Sequence, residues 1–462
     1  MNPTSAMSRT TALPASLTAG STGVCLLAAL MPLQMACAQT VTAPATPPAA
    51  QTPGQDPFGD GDPFEVVKRT AIPAAKTGNG AIDIKTSLFL KLDANDVRSD
   101  ANLNPDNRNL HLKQQQGIVE ARTTASSTID VQRQWRWLFK GFASSSDFRQ
   151  GDGVIGNHLR TDELFVDWKG KDWFASLGKR RVNWGHAQGF NLVNVVAPAR
   201  DPLNPDYETE GQPMLWLSHS GSTTADLIYT RGNYRDDGAG SGSANLSGDK
   251  ARWGWRWSVP KNDADMALYY FDGAAYADGR PFDRMLGASF SASVIPGLSL
   301  YGELARFSHN YRHYYDDNGQ ASTRDGASSK AVFGALLDLG EKSSLFAEAF
   351  YNGQGTNARE RQNYWRAAAY KDALLGEFAS LAMNRRYVLV GYKKEYREKY
   401  ALNLNFLAAA DRSTTLRVEG TYLLSDYFDL KAVFSHSSGP QDSEFRNNPF
   451  ARQFELQLST HF

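Results

Sequence analysis

From Ala81 to Phe462 the chain alternates between apolar and polar residues in segments of about ten, the length of a tilted membrane strand. Trp253, Trp255, Trp257 and Val259 interleave with Arg252, Gly254, Arg256 and Ser258. Leu402, Leu404, Phe406 and Ala408 interleave with Ala401, Asn403, Asn405 and Leu407. Leu416, Val418, Gly420 and Tyr422 do the same with Thr415, Arg417, Glu419 and Thr421, and Phe428, Leu430, Ala432 and Phe434 with Asp429, Lys431, Val433 and Ser435. The final segment sets Phe454, Leu456, Leu458, Thr460 and Phe462 against Gln453, Glu455, Gln457, Ser459 and His461. A period of two predicts strands with one apolar and one polar face. Weaker segments fill the gaps, among them Trp135-Trp137-Phe139, Leu164-Val166-Trp168, Trp173-Ala175-Leu177 and Leu227-Tyr229.

The connections alternate too, long then short. The short ones read as turns: Ile129-Asp130, Lys169-Gly170-Lys171, Gly221-Ser222, Pro260-Lys261-Asn262, Pro296-Gly297, Gly340-Glu341-Lys342, Glu398-Lys399 and Ser425-Asp426. The long ones are polar, around 94–111, 145–158, 182–212, 232–250, 273–283, 309–328, 352–385 and 437–450, with a shorter link near Asp411. Pairing them predicts an all-β, transmembrane antiparallel barrel of about 18 strands, with both ends on one side. A water-soluble sandwich also alternates. Against it stand aromatic residues near strand ends (Trp168, Trp173, Trp253, Tyr392, Tyr400), which suit interfacial girdles, and polar faces that are charged.

A last strand that alternates and ends on an aromatic resembles the final strand of bacterial outer-membrane β-barrels, which the barrel assembly machinery selects. The resemblance implies a Gram-negative outer membrane, recognition by that machinery through Phe462, and contact with membrane lipid and lipopolysaccharide. The start of the chain agrees. Arg9 precedes an apolar stretch from Val24 to Leu33, and Ala36-Cys37-Ala38 gives a small-x-small site before Gln39, so 1–38 reads as a signal peptide. Met7 is an alternative start. A lipidated Cys37 would need leucine where Gln34 stands. Both cysteines, Cys25 and Cys37, then leave with the leader, and disulfide and thiolate chemistry leave with them.

Mean hydropathy is −0.46, and 49 Lys+Arg balance 49 Asp+Glu. This suits a barrel, in which only every second strand residue meets lipid. The balanced charge gives no reason to expect nucleic acid. No stretch beyond the leader approaches ~18 consecutive apolar residues, so no transmembrane helix is expected. Residues 39–80, rich in Pro, Ala, Thr and Gly, read as a flexible periplasmic segment. Its repeat, Asp56-Pro57-Phe58 and Asp62-Pro63-Phe64, is either plain linker or a peptide at 56–64 that docks on a periplasmic partner or in the barrel mouth.

If the apolar sets face lipid, the interleaved sets face the lumen. They include Arg136, Lys140, Glu163, Asp167, Arg180, Asp226, Arg252, Arg256, Glu303, Arg417, Glu419, Asp429, Lys431 and Glu455. Such charges are tolerable only against water or each other. Either they pair across strands and brace the wall, or unpaired arginines (Arg136, Arg180, Arg252, Arg256) leave a positive stretch that favours anions. The third long loop carries an apolar patch, Leu192-Val193-Asn194-Val195-Val196, costly to leave in water, which predicts inward packing against the wall. The third outer loop of porins folds this way. The run Arg180-Arg181-Val182-Asn183-Trp184-Gly185 with Pro198-Ala199-Arg200-Asp201-Pro202 also resembles porin-like barrels of the alginate-export type. That resemblance implies Arg180, Arg181, Trp184, Arg200 and Asp201 as constriction residues. The alternative reading is a strand cap at Trp184-Gly185 and a loop ion pair at Arg200-Asp201.

In the seventh loop Tyr364, Ala367, Ala368, Leu374, Leu375, Phe378 and Leu381 recur at near-helical spacing and predict a short helix near 364–381: a plug, a lid, or simply a packed surface helix. Enzyme readings are poor. His309 and His313 have helical ligand spacing but lack further convergent ligands. Ser218 and His219 would point to opposite faces of one strand. The chain therefore reads as a channel for hydrophilic solutes, anionic or neutral, that needs no cofactor. Export of an anionic polysaccharide is the alternative, as is a non-conducting adhesin, receptor or assembly scaffold.

Overall fold

The computed structural model describes residues 82–108, 112–129, 134–146, 156–196, 201–204, 211–230, 251–261, 263–273, 284–324, 326–368 and 383–462. The expected leader at 1–38, the segment at 39–80 and the repeat at 56–64 lie outside the described residues.

Eighteen antiparallel strands form one sheet that closes on itself. In chain order they are β1 (Asp83–Val97), β2 (Gln115–Thr128), β3 (Trp135–Ser146), β4 (Gly156–Lys169), β5 (Trp173–Arg180), β6 (Gln212–Ser220), β7 (Thr224–Thr230), β8 (Arg252–Lys261), β9 (Ala264–Asp272), β10 (Arg284–Ile295) and β11 (Leu298–Phe307). After the loop hairpin β12 (Asn310–Tyr315) and β13 (Ala321–Arg324) come β14 (Ser328–Gly340), β15 (Ser343–Asn352), β16 (Arg386–Tyr396), β17 (Tyr400–Ala409), β18 (Thr414–Leu423), β19 (Phe428–Ser438) and β20 (Phe450–His461). β1 pairs with β2 on one side and β20 on the other. An even strand number makes that closing pair antiparallel. Thr86 and Phe462 complete it by exchanging backbone bonds of 3.2 and 2.9 Å, so the last residue belongs to the wall.

The alternation decides which side each residue takes. On β17, Leu402 and Phe406 are exposed on the outer face, while Ala401, Asn405 and Leu407 are buried on the inner one. Exposed apolar side chains recur around the outside, among them Leu90, Leu215, Trp253, Phe333 and Leu458. All eight short connections fall at one end of the barrel, and the long loops at the other. Glu341-Lys342, between the paired Gly340 and Ser343, uses the left-handed conformation at both residues, the twist that a two-residue hairpin requires.

The loops depart from expectation in three places. β1 runs to Val97, into the stretch read as loop, because β20 pairs with it as far as Val97, beyond the end of its pairing with β2 at Ala94. The sixth loop contains the hairpin β12–β13. The helix of the seventh loop, α1 (Ala358–Ala368), begins six residues before Tyr364, and 369–382 lie outside the described residues. Its start follows from capping: Asn357 Oδ1 accepts from Glu360 N, and Glu360 Oε2 accepts from Asn357 N. α1 sits among loops, not wall strands. Tyr364 and Trp365 pack with Leu103, Tyr315 and Met383, and Trp365 Nε1 donates to Asp442 O at 3.0 Å.

Candidate functional site

The third loop, between β5 and β6, folds into the barrel as its apolar patch predicts. Val182, Trp184, Ala187, Leu192, Val193 and Val196 form one buried cluster with inward side chains of β6 to β17, including Tyr269, Phe271, Met285, Phe307, Phe350 and Leu389. Apolar area removed from water drives this docking.

Two wall carboxylates fix its position. Glu303 on β11 accepts from His186 N (2.7 Å) and Ala187 N (2.8 Å) with Oε1, and from Leu192 N (2.6 Å) and Val193 N (3.3 Å) with Oε2. Glu348 on β15 accepts from Gln188 N, Gly189 N and Phe190 N, and from Tyr301 OH at 3.0 Å. A buried loop must find partners for its N–H groups, and these glutamates supply them. The approach is tight at two glycines, and the backbone demands glycine at the first. Gly185 has φ +94, and a Cβ there would stand 2.3 Å from Glu303 Oε1; a Cβ at Gly189 would stand 2.1 Å from Leu389 Cδ2.

The wall from β18 round through β20 and β1 to β5 is different. It is charged, and one arrangement recurs. Four carboxylates each hold two cations. Glu120 holds Lys91 (2.7 Å) and Arg122 (3.1 Å). Glu163 holds Lys140 (3.3 Å) and Arg181 (3.0 Å). Asp167 holds Arg136 (2.7 Å) and Arg180 (2.5 Å). Glu419 holds Arg417 (3.2 Å) and Lys431 (3.0 Å). The four carboxylates are all less than a tenth exposed, whereas their cations, Arg180 apart, are 15 % to 33 % exposed. Short acidic side chains lie against the wall, and long basic ones reach past them, so the surface offered to the lumen is positive. Asp93 and Glu455, opposite each other on β1 and β20, run against this pattern.

The candidates read from the sequence take different places. Arg136, Arg181, Arg417 and Glu419 belong to the paired wall just described. Arg180 is buried in it, its guanidinium over the rings of Phe165, Phe174 and Trp216 at 4.4, 5.3 and 5.1 Å. Trp184 is 1 % exposed, inside the contact between loop and wall. Arg256 lies 5.8 Å over Trp184 and pairs with Asp226 at 2.6 Å. Arg252 Nε is buried with no hydrogen-bond partner among the described residues. Asp201 is exposed at the end of the loop, where its Oδ1 accepts from Leu203 N at 2.9 Å. The loop is tied there by Asn405 Nδ2 donating to Leu203 O at 3.2 Å. Arg200 lies outside the described residues. His186 Nε2 stands 3.4 Å from Asp265 Oδ2. Burial holds the His186 pKa below the ordinary value, with Asp265 opposing and Arg256 reinforcing.

Glu348 and the pairs built on Glu120 escaped the sequence reading. For Glu348 a signal existed: one carboxylate between Phe346 and Phe350 on an otherwise apolar inner face. His313 lies on strand β12, so its spacing from His309 places no two ligands on a helical turn. Ser218 is buried on the inner face, while His219 stacks edge-on with Trp173 at 4.7 Å outside.

Fold and site together define a closed 18-stranded barrel narrowed by its third long loop. The solved structures it resembles include bacterial porins. A mutant of the Rhodopseudomonas blastica porin shares 10 % identity, covering 83 % of this chain and 100 % of that one, with a TM-score of 0.42. OmpF of Salmonella typhi in complex with daunomycin shares 8 % over 82 % and 97 %, with a TM-score of 0.45. Likenesses of this size carry no functional argument. No family model and no curated protein sequence matches the chain.

Proposed function

We propose that this protein is a porin-like channel of a Gram-negative outer membrane, through which hydrophilic solutes pass passively and anions pass more readily than cations. The outward apolar surface supports the membrane placement, because exposed apolar area on this scale is stable only against lipid. The lumen wall carries the solute preference: eight cations share four buried carboxylates, and all of them except the buried Arg180 reach the passage. The inward third loop sets the size limit. Selection needs no cofactor, only pore width and charge. The barrel assembly machinery recognises the C-terminal strand through Phe462.

Swelling of liposomes that contain the purified chain tests this. Swelling in small sugars, slowing with solute size and faster in organic anions than in organic cations of equal size, is the expected result. No swelling by correctly folded barrel would overturn the channel reading and leave a non-conducting scaffold.

A further inference from the structure

One patch of the outer wall is unlike the rest. Across β16 to β19, near the short turns, the outward residues form three registered rows. Nearest the turns lie Tyr396, Tyr400, Tyr422 and Leu430; the next row is Lys394, Leu402, Gly420 and Ala432; above it come Tyr392, Leu404, Val418 and Phe434. Tyr400 and Tyr422 stack at 4.8 Å. In the middle row Gly420 has no side chain, and a Cβ placed on it would meet nothing within 4 Å. The result is a groove of about 520 Å³ in the outer face, bordered by the tyrosines and by Lys394.

Lys394 makes the groove chemically specific. It lies one row inside the tyrosine girdle, on the apolar face. No described carboxylate pairs with it: Glu395 and Glu398 beside it turn to Lys342, at 4.0 and 3.2 Å. An ammonium on the lipid face is costly unless it reaches water or an anion. Arg397, in the turn below, lies over the Tyr396 ring at 5.0 Å and adds a second cation at the same end. An apolar trough with two cations at its interfacial end fits one occupant, an amphiphile with an acyl chain and an anionic head.

We infer that this groove binds an anionic phospholipid of the leaflet at the short-turn end, its phosphate at Lys394 and Arg397 and an acyl chain over Gly420. The inference rests on the membrane placement proposed above. Its test is reconstitution of the full chain into nanodiscs of mixed phosphatidylglycerol and phosphatidylethanolamine, followed by extraction and native mass spectrometry of the lipid that stays bound. The wild type should retain phosphatidylglycerol at least about fivefold over its share of the mixture. Lys394→Gln should abolish that enrichment, and Gly420→Trp, which fills the trough, should lower total retained lipid. Both variants lie outside the lumen and should conduct as the wild type does, which shows that they fold. Bulk lipid proportions on the wild type, enrichment that survives Lys394→Gln, or a second copy of the chain in place of lipid would each overturn the groove assignment while leaving the membrane placement intact. A folded chain that enters no nanodisc would overturn the membrane placement itself.

Discussion

Gly185 and Glu303 meet so closely that any side chain at 185 must displace the carboxylate: a Cβ there would stand 2.3 Å from the oxygen that receives His186 N and Ala187 N. The third loop is thereby pinned, not draped. Gly185→Ala adds backbone strain of ~1–2 kcal/mol and pushes that oxygen off its donors. Glu303→Ala leaves four N–H groups, three of them buried, without their acceptor, at a cost of about 3–5 kcal/mol. Both variants should unfold at lower denaturant concentration and show larger, noisier single-channel currents as the loop leaves the lumen. Currents identical to the wild type's would show that the loop does not narrow the passage.

Trp184 carries the apolar side of the same attachment, against Tyr269 and Phe271 at 5.9 and 5.7 Å. Trp184→Ala should cost about 3–5 kcal/mol through the cavity it leaves. Trp184→Phe should recover most of that. Denaturant midpoints for the two variants check both.

The wall charges make opposite predictions for the two partners of one pair. Lys431→Gln removes a partly exposed cation while Arg417 still neutralises Glu419. The anion-to-cation permeability ratio should fall about twofold. Glu419→Gln frees both cations and should raise it. Measured ratios that move together, or not at all, would contradict a lumen ruled by this excess.

His186 makes the loop sensitive to acid. Its pKa in the folded protein lies below the ordinary 6.5, so the neutral ring belongs to the docked loop. The stability this contributes is present above pH 6.5 and is lost as pH falls through the lowered value. Channel noise should therefore rise on acidification below that range and not between pH 7 and 8, and His186→Gln should flatten the response.

Much of this was legible along the chain. Period two sets the strands, the turn residues count them, and the apolar run from Leu192 to Val196 announces a loop that must dock. What stayed hidden is long-range. That Glu303 and Glu348 would catch the backbone of residues over a hundred positions away depends on how the closed sheet curves. That Asp167 would take both Arg136 and Arg180 depends on the register of β3, β4 and β5. Trp184 reads as a candidate for the surface of the constriction and lies beneath it, because its neighbours on the wall belong to β9. The hairpin β12–β13 is short, and its pattern is too brief to separate from loop.

Phe462 closes the sheet through its backbone pair with Thr86, while its side chain stays exposed on the outer face. The ring is more than half exposed. Phe462→Ala should therefore refold in detergent as the wild type does, yet reach the outer membrane in cells at a severalfold lower yield. Equal yields would remove Phe462 as the mark read by the assembly machinery.

The most direct test of the central claim is the reversal potential of the purified chain in a planar bilayer under a potassium chloride gradient. Stable conductance steps whose reversal potential has the sign of chloride preference, weakening as salt rises and screens the wall cations, are what the paired arrangement requires. Steps with cation preference would contradict the charge account, and silence from folded barrel would contradict the channel.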